Sequence, residues 1–307
     1  MQSKKSKRLA KIRDNAELFL LTLPAIISLL IFHYWPLAGN VMAFKDYKFV
    51  KGIFGSDWNG FKNFEYFFTS QDAVRITRNT VLYNATFIVV GIMCAVIVAL
   101  LLYQIHSKAA IKTYQTIIIL PRFLSWVIVS YIAYILLNPT SGILNSILKY
   151  FGKDSVQWYG TTKPWPFILI YSNVWKHIGL DTIIYYSALL GIDQEQFEAA
   201  EVDGATKFQQ MTKIAIPSIL PIIIIMFILS VGSIFGGDFG LFYQLPRNIG
   251  TLYPVTDVIP TYVFRGLQGG EYATSTAIGL FQSAVGFVLV MITNAIVKRL
   301  DPEKAMF

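Results

Sequence analysis

Charge and cysteine are what this sequence has least of. Only 14% of its 307 residues are charged, against about 25% in soluble domains, whereas 54% are hydrophobic and 15% aromatic. Cys94 is the single cysteine and lies in an apolar run, which excludes intrachain disulfides and cysteine-based metal sites. The apolar excess is typical of a membrane protein, and no polar stretch is long enough for a soluble catalytic domain.

Catalytic motifs are missing as well. No GxxxxGK[ST] loop occurs, so we expect no ATP binding by that device, and the glycines of "GGDFG" from Gly236 lack the Lys and Ser or Thr that should follow. His33, His106 and His177 do not have zinc-ligand spacing, and no nucleophile elbow is present. We therefore expect a chain that is not an enzyme and that binds no metal or cofactor; an intramembrane enzyme is the weak alternative.

The net charge of +8 has a membrane explanation. Six basic residues precede the first apolar run: Lys4, Lys5, Lys7, Arg8, Lys11 and Arg13. This pattern favours a cytoplasmic anchor that follows the positive-inside rule over a nucleic-acid site. The run itself resembles a signal sequence, but it ends in "HYWPL" and not in a small-x-small cleavage site, so we interpret it as a retained first span.

Long apolar runs predict an all-α polytopic membrane fold, because in lipid every backbone polar group must be bonded internally and about 20 helical residues cross the hydrocarbon core. We predict six spans, at residues 18–35, 80–103, 114–137, 165–190, 218–235 and 275–297. The predicted organisation is a basic N-terminus (1–17), a six-span domain (18–297) and a C-terminal tail (298–307). An even number of spans puts both termini on one side, and their basic flanks place that side in the cytoplasm.

Two loops stand out between the spans. The outer loop, residues 36–79, contains "GSDWNGFKNFEYFF", whose aromatics predict either an interfacial belt or a docking cap for an external partner. The inner loop, residues 191–217, contains "EAAEVDGATKFQQMTKIAIP". We predict helices at 194–202 and 205–214, a turn at Gly204, and a fifth span that begins at Pro217 and Pro221. From the residues alone, an acidic docking surface and a solvated loop are equally good interpretations.

A resemblance decides between them. Glu198, Ala199, Ala200, Gly204, Ile214 and Pro217 match the EAA motif of the integral-membrane subunits of binding-protein-dependent ABC importers, with Ile216 where that family usually has Leu. "YWPLAGNVMAFKDYKF" from Tyr34, "NVWKHIGLDTIIYYSALLGID" from Asn173 and "DVIPTYVFRGL" from Asp257 agree, as do "GSDWNGFKNFEYFF" and "AIGLFQSAVGFVL". Over nearly its whole length the chain resembles oligosaccharide-importing permeases of the LplB type, related to the MalF/MalG superfamily.

The resemblance implies a type I ABC importer permease fold in a bacterial cytoplasmic membrane. It implies a second permease subunit, two cytoplasmic ATPase copies that bind ATP and Mg, and an extracellular solute-binding protein. The EAA loop would be the coupling helix, with Glu198 facing a basic residue of the ATPase, Asp203 in the acidic flank and Gly204 at the turn. The substrate implied is a carbohydrate, most specifically an oligosaccharide.

Polar groups in or near the spans are candidates for the substrate pathway. Lys176 falls near the membrane midplane, where a lysine costs at least about 2.5 kcal/mol unless it faces water or a partner. We expect Trp175 to line a cavity and stack on sugar. For Lys176 two interpretations stay open, a role in the pathway and a structural ion pair with Asp181 or another acid. His177 and Asp181 share a helix face and predict a packing hydrogen bond.

Further candidates lie near the outer ends of the last two spans, where the alternative is an ordinary membrane-surface loop. They are Asp238, Phe239, Tyr243, Asp257, Tyr262 and Arg265. The alternative function from another class is a self-contained secondary transporter, for which Lys176, His177 and Asp181 are the compact ion-coupling candidates. An EAA loop would have no role in such a protein.

Overall fold

The computed structural model describes residues 15–300, and within this range the all-α prediction is confirmed. The predicted N-terminal segment, apart from residues 15–17, and the part of the tail beyond residue 300 lie outside the described residues. Helix α1 spans Ala16–Leu29 and continues through a π-turn, Leu30–Tyr34, into a 3₁₀ segment, Trp35–Phe44. Strands β1 (Lys45–Asp46) and β2 (Asp57–Trp58) form a two-residue antiparallel pair.

The remaining helices follow in chain order. They are α2 (Gly52–Gly55), α3 (Lys62–Thr69), α4 (Gln71–Tyr103), α5 (Lys108–Phe123), α6 (Trp126–Leu137), α7 (Ile143–Tyr150), α8 (Trp165–Leu189), α9 (Gln194–Val202), α10 (Lys207–Gln210), α11 (Ile216–Gly232), α12 (Phe239–Gln244), α13 (Tyr253–Thr256), α14 (Ile259–Gln268) and α15 (Tyr272–Leu300). A π-segment, Met211–Ala215, joins α10 to α11, and a 3₁₀ turn, Gly250–Leu252, precedes α13.

All six predicted spans are helical, but they differ in their fitness to cross a membrane. Four helical stretches of the described chain are long and apolar enough: 17–44, 71–103, 207–232 and 272–299. The bent pair α5 and α6 makes a fifth if it is counted as one span. Helix α8 has 25 residues but falls outside this group, since it carries Lys176, His177 and Asp181 among its apolar residues.

The prediction of one straight helix at 114–137 was wrong. Helices α5 and α6 meet at an angle of 97°. Leu124 and Ser125 are extended between them, and the Ser125 hydroxyl accepts the Ile128 backbone N–H at 3.3 Å as the N-cap of α6. Pro121, inside the last turn of α5, removes a backbone donor there. A proline followed by a serine N-cap therefore ends one helix and begins another within an apolar run.

The prediction of a separate helix at 205–214 was also wrong. The chain is helical without interruption from Lys207 to Gly232, and it begins with a capping box between Thr206 and Gln209. Pro217 therefore lies well inside this helix and does not start it. The π-segment directly before Pro217 already departs from the i→i−4 hydrogen-bond pattern, so the missing proline N–H is accommodated there.

The core consists of α4 and α8 packed along their lengths. Near the inner end, Ala95 and Ala99 of α4 meet Tyr185 and Leu189 of α8 in one buried cluster. Helix α5 packs closely on the other side of α8, because a Cβ at Gly179 would lie only 2.1 Å from the Ile118 carbonyl oxygen. This close approach brings the α5–α6 bend against Lys176.

The outer loop predicted at 36–79 is shorter in the structure, because residues 36–44 continue the first helical stretch and residues 71–79 begin α4; residues 45–70 between them form a folded cap. Phe44 and Trp58 stack at 5.8 Å between ring centroids. The Asn63 amide donates to the carbonyl oxygens of Ala43 and Lys45, both at 2.9 Å. Trp58 remains 69% exposed, so the cap has internal order and also presents aromatic surface.

Candidate functional site: the coupling loop and the membrane cavity

The coupling loop is built around the nine-residue helix α9. Asp193 caps its N-terminus by accepting the Glu195 backbone N–H at 3.1 Å. At the other end Gly204 adopts φ +79°, a conformation that side chains disfavour, and the Ala205 N–H donates to the Ala200 carbonyl at 2.9 Å. The predicted helix at 194–202 and the turn at Gly204 are both confirmed.

Three contacts fasten α9 to the rest of the protein. Phe197 packs on the Tyr103 ring at 5.7 Å, at the end of α4. The Gln194 amide lies 2.6 Å from Tyr103 Oη. Gln210, which is buried, donates to the Phe197 carbonyl at 3.5 Å. Helix α9 is therefore attached both to α4 and to the helix that becomes α11.

The free face of α9 carries unpaired acids. Glu198, Ala199, Asp203 and Gly204 are exposed, and Ala200 is half-buried. Glu201 forms an ion pair with Lys207 at 3.4 Å, whereas Glu198 has no ion-pair partner among residues 15–300. Its carboxylate is available to a group outside this chain.

Two exposed apolar side chains border this acidic face, and sequence reasoning missed them. Val202 is 89% exposed at the end of α9, and Phe208 is 73% exposed in α10. The signal in the sequence is an apolar residue between Glu201 and Asp203, in a stretch that is otherwise polar. The other predicted coupling residues, half-buried Ile214 and exposed Pro217, lie in the helix behind this surface and connect it to α11.

Lys176 does not form the ion pair that was one of the two interpretations offered from the sequence, and it is not among the residues that line the polar cavity between α4, α8 and α11. Its side chain is buried, and within the described chain no carboxylate lies within ion-pair distance, so the predicted pair with Asp181 does not form. The ammonium donates to the carbonyl oxygens of Pro121, at 3.4 Å, and Leu124. It also lies 5.0 Å from the centre of the Trp126 ring. Lys176 thus supplies a hydrogen bond to the Leu124 carbonyl at the α5–α6 bend, and a second one to the Pro121 carbonyl, which also accepts the Leu124 N–H at 3.2 Å.

A second link joins the bend to the outer end of α11. The Trp126 indole N–H donates to Asp238 Oδ2 at 2.6 Å. Asp238 Oδ1 accepts the Leu241 N–H at 3.2 Å and caps α12. A Cβ at Gly240 would lie 2.3 Å from the Trp126 ring, so only glycine allows α12 to approach so closely.

A polar cavity of about 230 Å³, called the membrane cavity here, lies between α4, α8 and α11. Its polar walls are Asn84, Asn173, His177, Asp181, Ser230, Ser233 and Asp238. Asn173, His177 and Asp181 recur every four residues and so share one face of α8. His177 Nδ1 lies 2.9 Å from the Asn173 carbonyl oxygen, and no hydrogen bond to Asp181 occurs, which corrects the predicted pair.

The predicted pathway residues do not all meet in this cavity. Asp238 lines it, but Trp175 does not: its half-buried ring packs on a buried cluster that includes Tyr83, Val129 and Phe242. Of the polar wall, sequence reasoning missed Asn84, Asn173, Ser230 and Ser233. Serine and asparagine inside apolar runs carry little signal, because their hydroxyls and amides are easily satisfied by their own helix, as Ser230 is by the Met226 carbonyl at 2.8 Å.

The other outer candidates divide into two groups. On α12, the rings of Phe239 and Tyr243 stack with centroids 5.0 Å apart, and the Phe264 ring of α14 packs beside them. Asp257, with a fully buried side chain, pairs with Arg265 at 2.7 Å and Arg75 at 3.3 Å.

This second group ties the outer ends of α4 and α14 together. The other oxygen of Asp257 accepts the Thr261 hydroxyl at 2.8 Å. Tyr262 packs beside Phe67, with ring centroids 6.4 Å apart. Both carboxylate oxygens of Asp257 are thus engaged within the protein.

Comparison with known proteins agrees with this architecture. Residues 88–305 match the family model described as "Binding-protein-dependent transport system inner membrane component". The chain is 33% identical to the polygalacturonan/rhamnogalacturonan transport system permease protein YteP of Bacillus subtilis (strain 168), covering 98% of this chain and 94% of the relative. It is also 33% identical to Protein LplB of the same organism, covering 96% and 92%.

A solved structure shows the same fold. A chain of a bacterial alginate ABC transporter, in complex with its alginate pentasaccharide-bound periplasmic protein, superimposes with a TM-score of 0.85 at 34% identity. The match covers 95% of this chain and 97% of that one. The type I ABC importer permease fold is thereby confirmed.

Proposed function

The chain belongs to the family of binding-protein-dependent transport system inner membrane components, and from this we propose that it is one permease subunit of an ATP-driven importer of oligosaccharides. Members of this family are membrane components of transporters, so the chain is a multi-pass membrane protein and not an enzyme. The alternative of a self-contained secondary transporter required Lys176, His177 and Asp181 as ion-coupling groups. The Lys176 ammonium instead donates to two backbone carbonyls, so this alternative is less well supported.

Two observations support a carbohydrate as substrate. One relative is named for polygalacturonan and rhamnogalacturonan transport, and the similar solved structure is that of an alginate transporter. In this chain the membrane cavity offers amide, hydroxyl, imidazole and carboxylate groups, which suit a ligand rich in hydroxyls. The cavity is the part of the pathway that this chain contributes.

The observation that carries the coupling role is the exposed face of α9. Glu198 and Asp203 supply negative charge for a basic groove on an ATPase, and Val202 and Phe208 supply apolar area beside them. Charge complementarity of this kind sets orientation and specificity of docking, and buried apolar anchors supply affinity. ATP and Mg are bound by that ATPase and not by this chain.

The complete transporter then has two permease subunits, two ATPase copies and an extracellular solute-binding protein. It lies in the bacterial cytoplasmic membrane, with both termini of this chain in the cytoplasm. One α9 serves one ATPase copy, so the second ATPase requires a second permease subunit with its own coupling loop.

The test is charge reversal on the docking face. In the assembled complex, Glu198→Lys places a cation where a basic groove should bind, and we expect both ATPase co-purification and oligosaccharide uptake to fall at least about tenfold. The matched control is Glu65→Lys, which reverses an exposed acid on the outer cap, away from α9, and should leave ATPase co-purification unchanged. Equal uptake in the Glu198 variant and the wild type would refute the docking role.

A further inference from the structure

A second cavity, called the outer cavity here, lies between α6 and the loop that follows α12. Its volume is about 230 Å³. It is lined by Val127, Ser130, Tyr131, Tyr243, Gln244, Arg247 and Asn248. Asp238, at the start of α12, lines the membrane cavity, and Gln244 at the end of α12 lines the outer one. The six residues of α12 therefore join two cavities about 9 Å apart along the helix.

Arg247 is the charged group of the outer cavity. Its guanidinium lies 4.4 Å from the centre of the Tyr134 ring and 5.6 Å from that of Tyr131. These two rings hold the cation by its attraction to their faces. Arg247 is exposed, and over residues 15–300 its side chain has no hydrogen-bond acceptor and no ion-pair partner, so its planar fork of five N–H donors is open to a group from outside the chain.

The backbone at this position is unfavourable for arginine. Arg247 has φ +59° and Asn248 has φ +50°. Both values lie in the left-handed region, where residues other than glycine and asparagine are uncommon. Backbone strain of this kind persists only where the surrounding structure enforces it, and it is enriched at ligand sites. Asparagine at 248 suits the conformation, whereas arginine at 247 does not.

The neighbouring groups suit a sugar ring. Tyr243 presents an aromatic face, held in place by its stack on Phe239 at 5.0 Å. Gln244 and Asn248 supply amides, and the Asn248 Oδ1 already accepts the Tyr253 hydroxyl at 2.9 Å, which fixes the orientation of its amino group. Aromatic faces and amides bind the apolar face and the hydroxyls of a sugar, and a guanidinium binds a carboxylate with two parallel hydrogen bonds.

A buried donor nearby also lacks a partner. The Tyr159 hydroxyl is buried, and in the described part of the chain it makes no hydrogen bond. Its ring lies 5.7 Å from that of Tyr134, on which Arg247 rests. Burial raises the pKa of Tyr159 to about 12, so the hydroxyl remains a neutral donor.

We infer that the outer cavity binds a carboxylate-bearing sugar unit, with the carboxylate on Arg247 and the ring against Tyr243 and Tyr131. The inference rests on the proposed function and adds the charge of the substrate to it. Asp181 and Asp238 make the membrane cavity acidic, so recognition of a negative charge is assigned to the outer cavity and not to that one.

The test measures binding of trigalacturonate and of its fully methyl-esterified form to the complete transporter complex in nanodiscs. We expect the wild type to bind the acid about tenfold more tightly than the ester, the ratio for one charge-assisted interaction. Arg247→Asn keeps a residue that tolerates the left-handed backbone, so it should fold and lose the preference. Arg247→Lys should keep part of it, because the charge remains without the fork. Arg78→Asn, on α4 outside this cavity, is the control and should bind like the wild type.

Several results would overturn the inference. They are equal binding of acid and ester by the wild type, binding of neither, or a preference that survives in Arg247→Asn. A fourth is loss of solute-binding-protein docking with unchanged sugar preference, which would make Arg247 a contact for that protein. Uptake of labelled oligosaccharides tests the proposed function separately: a complex that imports them without regard to charge contradicts this inference alone, and one that imports none contradicts the function.

Discussion

Replacing Lys176 by methionine tests whether the buried ammonium stabilises the α5–α6 bend or is merely tolerated inside the membrane. The substitution keeps the length of the side chain and removes its hydrogen bonds to the Pro121 and Leu124 carbonyls. Two hydrogen bonds from a charged donor contribute about 3 to 6 kcal/mol, and the contact with Trp126 adds about 1 to 2 kcal/mol. Removing a buried lysine recovers about 3 kcal/mol of insertion cost.

The net effect of Lys176→Met is a decrease of about 3 kcal/mol in the free energy of unfolding, which is the middle of the range that these contributions allow. The assay is unfolding of the purified permease in mixed micelles, followed by thermal stability of the assembled complex. Lys112→Met is the matched control, because Lys112 is exposed at the inner end of α5 and should change stability by less than about 0.5 kcal/mol.

The sign of the effect separates the two explanations. If Lys176 were only a tolerated charge, methionine would stabilise the chain, as apolar replacements of buried ionic groups often do. A Lys176→Met variant as stable as the wild type, or more stable, would therefore refute the assignment of the ammonium to the bend. Lys176→Gln retains a neutral donor, so its stability should lie between that of Lys176→Met and that of the wild type.

Three further outcomes follow from the packing and the topology. Asp257→Asn should destabilise the outer ends of α4 and α14 by about 3 to 5 kcal/mol in thermal unfolding, because Arg265 and Arg75 lose a buried carboxylate; an unchanged melting temperature would contradict this. Gly179→Ala should cost about 1 to 3 kcal/mol, since the new Cβ meets the backbone of α5 at 2.1 Å, whereas Gly279→Ala, with nothing within 4 Å, should be neutral. In a Cys94→Ala background, Gln209→Cys should react with an impermeant thiol reagent only from the cytoplasm, and labelling of intact cells would reverse the predicted topology.

The sequence predicts the helices well where one local signal dominates. Helix α9 lies where the Asp193 cap and the Gly204 turn place it, and five of the six apolar runs form continuous helices at the expected positions. The prediction fails where a polar or proline residue acts inside an apolar run. Ser125 starts a helix amid hydrophobic neighbours, and Pro217 sits within one, because a π-turn removes the usual penalty.

The sites are less predictable than the helices. The coupling loop has a local motif, so its helix and turn could be placed from the sequence, although Val202 and Phe208 were missed. The membrane cavity has none, because its walls come from α4, α8 and α11, separated by more than a hundred positions from Asn84 to Ser230. Lys176 shows the same limit, because its partners are backbone carbonyls 52 and 55 residues away. Every residue has a backbone carbonyl, so side-chain identity does not reveal such partners.

The contacts of α9 indicate how a movement at the ATPase would reach the cavity. Tyr103 contacts both Phe197 and Gln194, and it is the last residue of α4, a continuous helix of 33 residues whose middle part lines the membrane cavity. A continuous helix transmits displacement along its axis with little internal deformation, because its backbone hydrogen bonds hold each turn. The opposite wall is α8, where Lys176 ties the bend of α5 and α6 in place, and Trp126 carries that constraint to Asp238 at the cavity's outer edge. Helix α9 thus contacts the α4 wall of the cavity through Tyr103, whereas the α8 wall is tied to the α5–α6 bend through Lys176.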